Sequence, residues 1–187
     1  RILTRAGYAA GVRDAEIARK VRGERSAIDA FVVGPQLHML EGSVNVEPVR
    51  LEMDVKTGHF DGEFIWRNSW EADVHLQEFG HARDPVCWMQ IGFASGYTSA
   101  FMGRFILFKE TECSATGTDN CRIVGKPVED WPDADEYLPY YQEDSIVGRM
   151  LELREQVDTL RSTICERKRS PSLIGASTGF QTAFSLI

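Results

Sequence analysis

The residues best suited to chemistry lie around one loop. Glu110 and Cys113 stand three apart, and Cys121 follows eight residues later with Gly117 between them. Thiolates bind zinc well, and closed structural sites hold it with four protein donors in a tetrahedron. Two cysteines at the ends of neighbouring strands, joined by a tight loop, can converge on one ion. Further donors must come from elsewhere. Cys87 is the remaining cysteine of the globular part, with Glu110, Asp119 and His81 as competitors. Cys87 is equally well read as a small apolar core residue, because free cysteine is among the most buried types. Cys165 falls in a charged helical stretch and reads as an ordinary helix residue.

A second group is aromatic: Phe31, Phe60, Phe64, Trp66 and Trp70. His38 follows Phe31 by seven residues, two helical turns, so the two project to nearly the same face if Pro35 leaves the helix intact. Phe64 and Trp66 share one face of a strand. A helix covering that strand would close a small apolar cavity with two polar handles. The indole N–H only donates, whereas a neutral imidazole offers one donor and one acceptor. Such a pair suits a hydroxyl that must both give and accept a hydrogen bond. The plainer alternative is a filled core with His38 satisfied by backbone.

The elements that must position these groups follow from periodicity. Residues 3–22 read as a helix, with Ile17 and Val21 four apart among charges. A second helix runs from Ser26 to about Glu41 through Ile28, Phe31, Val32, Leu37 and Leu40, and Pro35 should kink or restart it. Val49, Leu51, Met53 and Val55 alternate as on a half-buried strand, while Val44 and Val46 alternate in the opposite phase. The slip at Glu47-Pro48 predicts a bulge or a break. Lys56-Thr57-Gly58 is a turn, and Phe60, Gly62, Phe64 and Trp66 form one face of the hairpin partner. Glu71–Phe79 reads as a short helix and Gly80–Pro85 as a loop. Val86–Met102 is a helix rich in small residues, which allow another backbone to approach closely. Phe105–Cys113 and Cys121–Gly125 are two more strands. Helices, hairpin, helices, hairpin: the order indicates an α+β domain whose mainly antiparallel sheet is covered by helices.

Pro127–Tyr141 reads as loop or short turns. Beyond it, Ile146, Met150, Leu153, Val157, Leu160 and Ile164 are spaced alternately four and three, a heptad seam. Its regular period and its place after the domain favour a dimeric coiled-coil linker over a helix lying on the domain. From Ser170 the composition is that of an extended linker.

The chain has 187 residues and a formal net charge of −7. So acidic a segment lacks the basic face that nucleic-acid contact requires. No apolar run reaches the length of a membrane span. Four cysteines are too few for a disulfide-built scaffold and fit a reducing cytoplasm.

Several runs resemble a known family. Gly34-Pro35-Gln36-Leu37-His38-Met39-Leu40 is similar to the pocket segment of the sensor domains of phenol- and xylene-responsive sigma-54-dependent activators, which are grouped with 4-vinyl reductase domains. Pro85-Val86-Cys87-Trp88 and the stretch from Ala94-Ser95-Gly96-Tyr97 to Gly103-Arg104 resemble the family's central helix. Lys109-Glu110-Thr111-Glu112-Cys113 and Cys121-Arg122-Ile123-Val124-Gly125-Lys126-Pro127 resemble its zinc hairpin.

The resemblance covers residues 3 to about 131. It implies zinc held by Cys87, Glu110, Cys113 and Cys121. It also implies an effector pocket in which His38 and Trp66 grip a phenolic hydroxyl, among Phe31, Phe64, Phe93 and Phe108. Phe93 and Phe108 stand where some phenol sensors have tyrosine, so this pocket should be less polar. Leu173–Gln181 resembles the opening of the AAA+ ATPase domain of these activators, but no phosphate-binding loop is present in these residues.

The organisation so implied is an effector-sensing domain with its zinc site over 1–131, a linker with the heptad helix over 132–169, and the start of an AAA+ domain over 170–187. The expected function is that of a cytoplasmic, dimeric sensor. It would bind phenol or a related small aromatic and relieve repression of its own AAA+ domain, which acts on sigma-54 RNA polymerase, without itself contacting nucleic acid or membrane. An enzyme, a reductase or hydratase of vinyl or phenolic compounds, is the alternative, and a pure dimerisation module is a third.

Overall fold

Short residues recur along the first helix, α1 (Ile2–Arg22): Thr4, Gly7, Gly11, Ala15 and Ala18 are all buried. Ile17, by contrast, is about half exposed. The buried face of α1 is therefore its small-residue stripe rather than its largest apolar side chains. The computed structural model describes residues 1–22, 27–142, 146–169 and 177–185.

The second predicted helix is two. α2 (Ala27–Phe31) and α3 (Val33–Leu40) meet at Val32, and the Ser26 start lies outside the described residues. The break falls three residues before Pro35, because a proline in the first turn of a helix forgoes no intrahelical bond. Of the predicted apolar residues, Phe31 is buried, whereas Ile28 and Leu40 face solvent.

β1 (Asn45–Asp54), β2 (His59–Arg67), β3 (Ile106–Glu112) and β4 (Cys121–Pro127) form one antiparallel sheet in the order β1-β2-β4-β3. The bulge in β1 lies between Pro48 and Arg50, one residue beyond the expected slip. Val49 is the unpaired residue and is exposed, not on the inner face with Leu51. The extra residue resets the parity, so that Val46 and Leu51 both pack on the core. On β2 the alternation is clean: Phe60, Gly62, Phe64 and Trp66 all point inward.

α4 (Trp70–Phe79) and α5 (Trp88–Met102) follow β2. α5 begins two residues later than the sequence suggests, because Val86 and Cys87 are extended at its cap. Its small residues face α1. A Cβ on Gly92 would lie 2.0 Å from the Thr4 carbonyl oxygen and one on Gly96 2.1 Å from that of Tyr8; Gly7 and Gly11 are as tightly placed against Met89 and Phe93. The two helices touch backbone to backbone, so packing here consists of main-chain contacts that no side chain separates.

After β4 come single 3-10 turns and the short α6 (Ala134–Tyr137), as expected for this stretch. They pack on the sheet. Trp131 Nε1 donates to Leu107 O at 3.0 Å, and Lys109, paired with Asp133, lies over the Trp131 and Tyr137 rings. Tyr141 Oη meets Ser95 Oγ at 3.0 Å. The first compact unit therefore runs to Gln142, and the second, Glu143–Ile187, contains α7 (Ile146–Arg169) and α8 (Thr178–Phe184). In α7, Met150, Leu153, Val157, Leu160 and Ile164 of the heptad seam are exposed. Most of the expected linker after Ser170 lies outside the described residues.

Candidate metal centre and aromatic cavity

Four donors converge where β3, β4 and α5 meet. Cys113 follows the last residue of β3, Cys121 opens β4, Glu110 sits within β3 and Cys87 caps α5. One ligand atom from each lies within 4.8 Å of all the others. The Cys87 and Cys121 sulfurs are 3.7 Å apart, and those of Cys121 and Cys113 are 3.9 Å apart. These gaps are far longer than the ~2.05 Å of a disulfide. They match the roughly 3.8 Å that a tetrahedron with Zn–S bonds of about 2.3 Å requires. Asp119 and His81, the competing donors, are not in the cluster.

The surroundings are built for negative charge. The Cys87 N–H donates to Glu110 Oε2 at 3.1 Å, and Ser114 N–H points at the Cys121 sulfur at 3.4 Å. Glu71, buried on α4, accepts the Met89 and Gln90 amides, both at 2.9 Å, and so caps α5 directly beneath Cys87. Among the protein's own groups, hydrogen bonds from Cys121 and Cys87 hold the Cys113 thiol down at about 2, while Cys121, donating to Cys113, is pushed up to about 12. Burial pushes the Glu110 carboxyl up to about 8, and its Oε1 is buried without a hydrogen-bond partner. An orphaned carboxylate oxygen beside three clustered sulfurs is the donor set a soft-to-borderline dication satisfies.

The cavity lies on the other side of Gln90. That side chain lines it and accepts a hydrogen bond from Ser69 Oγ at 2.6 Å, and Ser69 Oγ is itself 3.1 Å from the Cys87 sulfur. Phe31, His38, Phe64, Trp66, Phe93 and Phe108 all line the cavity, brought together from α2, α3, β2, α5 and β3. Its volume is ≈ 40 Å³, above the roughly 10–15 Å³ that one water needs on a comparable measure. Phe60 is buried next to it, in contact with Phe31 and Phe108, and Trp70 is partly exposed elsewhere. Tyr97, Thr98, Ala94, Pro35, Val44, Val46 and Ile123 complete the wall. The sequence held one signal for Tyr97: the i, i+4 ladder Phe93–Tyr97–Phe101, whose rings stack at 5.9 and 5.7 Å.

His38 is the exceptional group. Neither ring nitrogen has a hydrogen-bond partner, and its ring meets Phe93 edge-on at 3.9 Å. Desolvation by burial lowers its pKa to about 4, so at neutral pH it is uncharged and offers one donor and one acceptor. An unpaired polar ring in an apolar hole costs about 1–3 kcal/mol per unsatisfied group. A ligand with a matching hydroxyl recovers that cost.

Comparison with known proteins gives a consistent picture. A sequence profile described as "Activator of aromatic catabolism" matches residues 1–54, and the profile of the 4-vinyl reductase domain matches residues 66–127. The phenol regulator MopR of Acinetobacter guillouiae is 38% identical over 184 residues, 98% of this chain and 33% of that protein. The transcriptional regulatory protein XylR of Pseudomonas putida is 43% identical over 160 residues, 86% of this chain and 28% of that protein. The chain thus spans about a third of the length of these curated relatives. In three dimensions it is similar to the crystal structure of the phenol-responsive sensory domain of the transcription activator PoxR with phenol. The TM-score is 0.74 at 48% identity, over 76% of this chain and 71% of that one.

Proposed function

The chain belongs to the family of sensory domains of phenol-responsive transcription activators of aromatic catabolism, and from that premise we propose that its cavity binds phenol or a related small aromatic through His38 and Trp66. It is a ligand-sensing regulatory domain; its relatives are regulators, which disfavours a reductase or hydratase. The observation that supports the assignment most is the unpartnered His38 ring in an aromatic hole. The phenolic O–H donates to the free acceptor nitrogen of His38, and the phenolic oxygen accepts the Trp66 N–H. Phe31, Phe64, Phe93 and Phe108 enclose the ring. A plain hydrocarbon leaves both handles unpaired, at about 1–3 kcal/mol each.

Cys87, Glu110, Cys113 and Cys121 would hold zinc. With four protein ligands the ion has no open position, so what it supplies is folding energy and negative-charge compensation rather than chemistry on a substrate. Glu71 and Ser69 position Cys87 at the start of α5, and α5 in turn forms one wall of the cavity.

In the whole protein, a cytoplasmic sigma-54-dependent activator on this reading, the empty sensor represses the following AAA+ domain and the filled sensor releases it. That requires phenol to bind the released arrangement more tightly than the repressed one. The exposed seam of α7 is the dimer contact, as a two-stranded coiled coil. The linker and the AAA+ opening follow over 132–169 and 170–187.

Calorimetry with phenol tests the core of this reading. Wild type should bind, and His38→Ala should bind about 100-fold more weakly, the loss of two hydrogen bonds. Equal affinity in the two proteins would remove His38 from the site.

A further inference from the structure

The ring of Tyr97 lines the cavity, while its hydroxyl leaves it and enters the broken helix opposite. In a continuous helix the Ala30 carbonyl would accept from Gly34 N–H and the Phe31 carbonyl from residue 35. Pro35 has no N–H to give. Instead, Gly34 N–H donates to Tyr97 Oη at 3.0 Å, and the Tyr97 O–H donates between the carbonyls of Phe31 at 3.0 Å and Ala30 at 3.3 Å. One side chain thus closes both rungs that the α2–α3 break opens. A Cβ on Gly34 would lie 2.5 Å from Tyr97 Cζ, so only glycine lets the ring come this near.

α3 then runs on to His38. No hydrogen bond fixes the His38 ring itself. Its direction is set by the α3 backbone and by its edge-on contact with Phe93, one turn before Tyr97 on α5. We propose that Tyr97 is a positioning residue for effector recognition: its hydroxyl locks the junction of α2 and α3 and thereby holds His38 aimed into the cavity. The proposal rests on the reading of that cavity as a phenol site.

A double-mutant cycle measured with phenol tests it. Tyr97→Phe keeps the ring and the cavity wall. It should weaken phenol binding about tenfold, and His38→Ala should then cost far less in the Tyr97→Phe background than in wild type. The same loss from His38→Ala in both backgrounds would overturn the proposal. Gly34→Ala displaces the hydroxyl from the helix side and should reproduce both effects, so a folding defect peculiar to one variant does not decide the matter. Hydrogen exchange on the ligand-free chain separates this proposal from the functional reading. Tyr97→Phe should speed amide exchange in residues 27–40 while β2 and β4 stay protected, and unchanged exchange there would also overturn the lock. A wild-type chain that does not bind phenol, together with faster exchange in Tyr97→Phe, would overturn the reading of function and uphold the lock.

Discussion

The donor cluster and the cavity share walls and follow opposite rules. In the cluster, polar atoms converge: three sulfurs and a carboxylate meet, with backbone amides and Glu71 arranged around them. In the cavity, polar atoms are nearly excluded, and the imidazole is left unpaired among phenyl rings. The cluster is complete from the protein's own residues, so its contribution goes to stability. The cavity is incomplete by a hydroxyl, so its contribution goes to recognition. Gln90, through Ser69, touches both.

The largest effect that would break this contrast belongs to the cluster. Cys113→Ala should abolish metal binding and lower Tm by at least roughly 10 °C, since structural zinc binding is folding energy. Elemental analysis of the wild type should find one zinc per chain, and cobalt substitution should give thiolate charge-transfer bands that the variant lacks. A folded, phenol-binding Cys113→Ala would erase the distinction.

The matching change in the cavity should move stability far less than affinity. His38→Ala should leave Tm within about 3 °C of wild type, because the side chain it removes has no hydrogen bond to lose. A collapse in Tm would make His38 a structural residue.

Acid sharpens the contrast next. The folded His38 pKa of about 4 lies below its ordinary 6.5. Between those values the unfolded chain takes up a proton that the folded chain refuses. Stability therefore falls as pH drops through that window, by at most about 3 kcal/mol from this group. Urea titrations of wild type and His38→Phe across pH 7 to 4 should differ by that slope. Phenol affinity should hold steady from pH 8 to about 5 and fall only as pH approaches 4.

The smallest effect concerns the wall. Phe108→Tyr adds a hydroxyl to an apolar surface and should change the preference between phenol and a methylphenol by less than about tenfold, readable as a ratio of dissociation constants.

The sequence made some parts of this arrangement plain and left others dark, for physical reasons. The inward face of β2 was readable because a period of two is written locally in Phe60, Phe64 and Trp66. The Cys113–Cys121 pair was readable because a hairpin brings its ends together. Spacing alone could not place Cys87, whose position depends on the cap that Glu71 and Ser69 build from another helix; the family resemblance supplied it. The α1–α5 contact left no hydropathic trace, since glycine and alanine contribute little to any apolar stripe. The helix break at Val32 was misplaced at Pro35 because its closure comes from Tyr97, more than sixty residues away.

The bulge at Val49 has a consequence at the rim of the sheet. β1 is the outermost strand on its side, and Pro48 and Val49 interrupt its run of amides midway. Glu47, Arg50, Glu52 and Asp54 decorate the same rim, with Arg50 tied back to Asp61 and Glu63. A foreign strand laid alongside would lose register in the middle and strand charges against its own backbone. This border is closed to strand-by-strand growth, which protects a chain with so apolar an interior from templated aggregation.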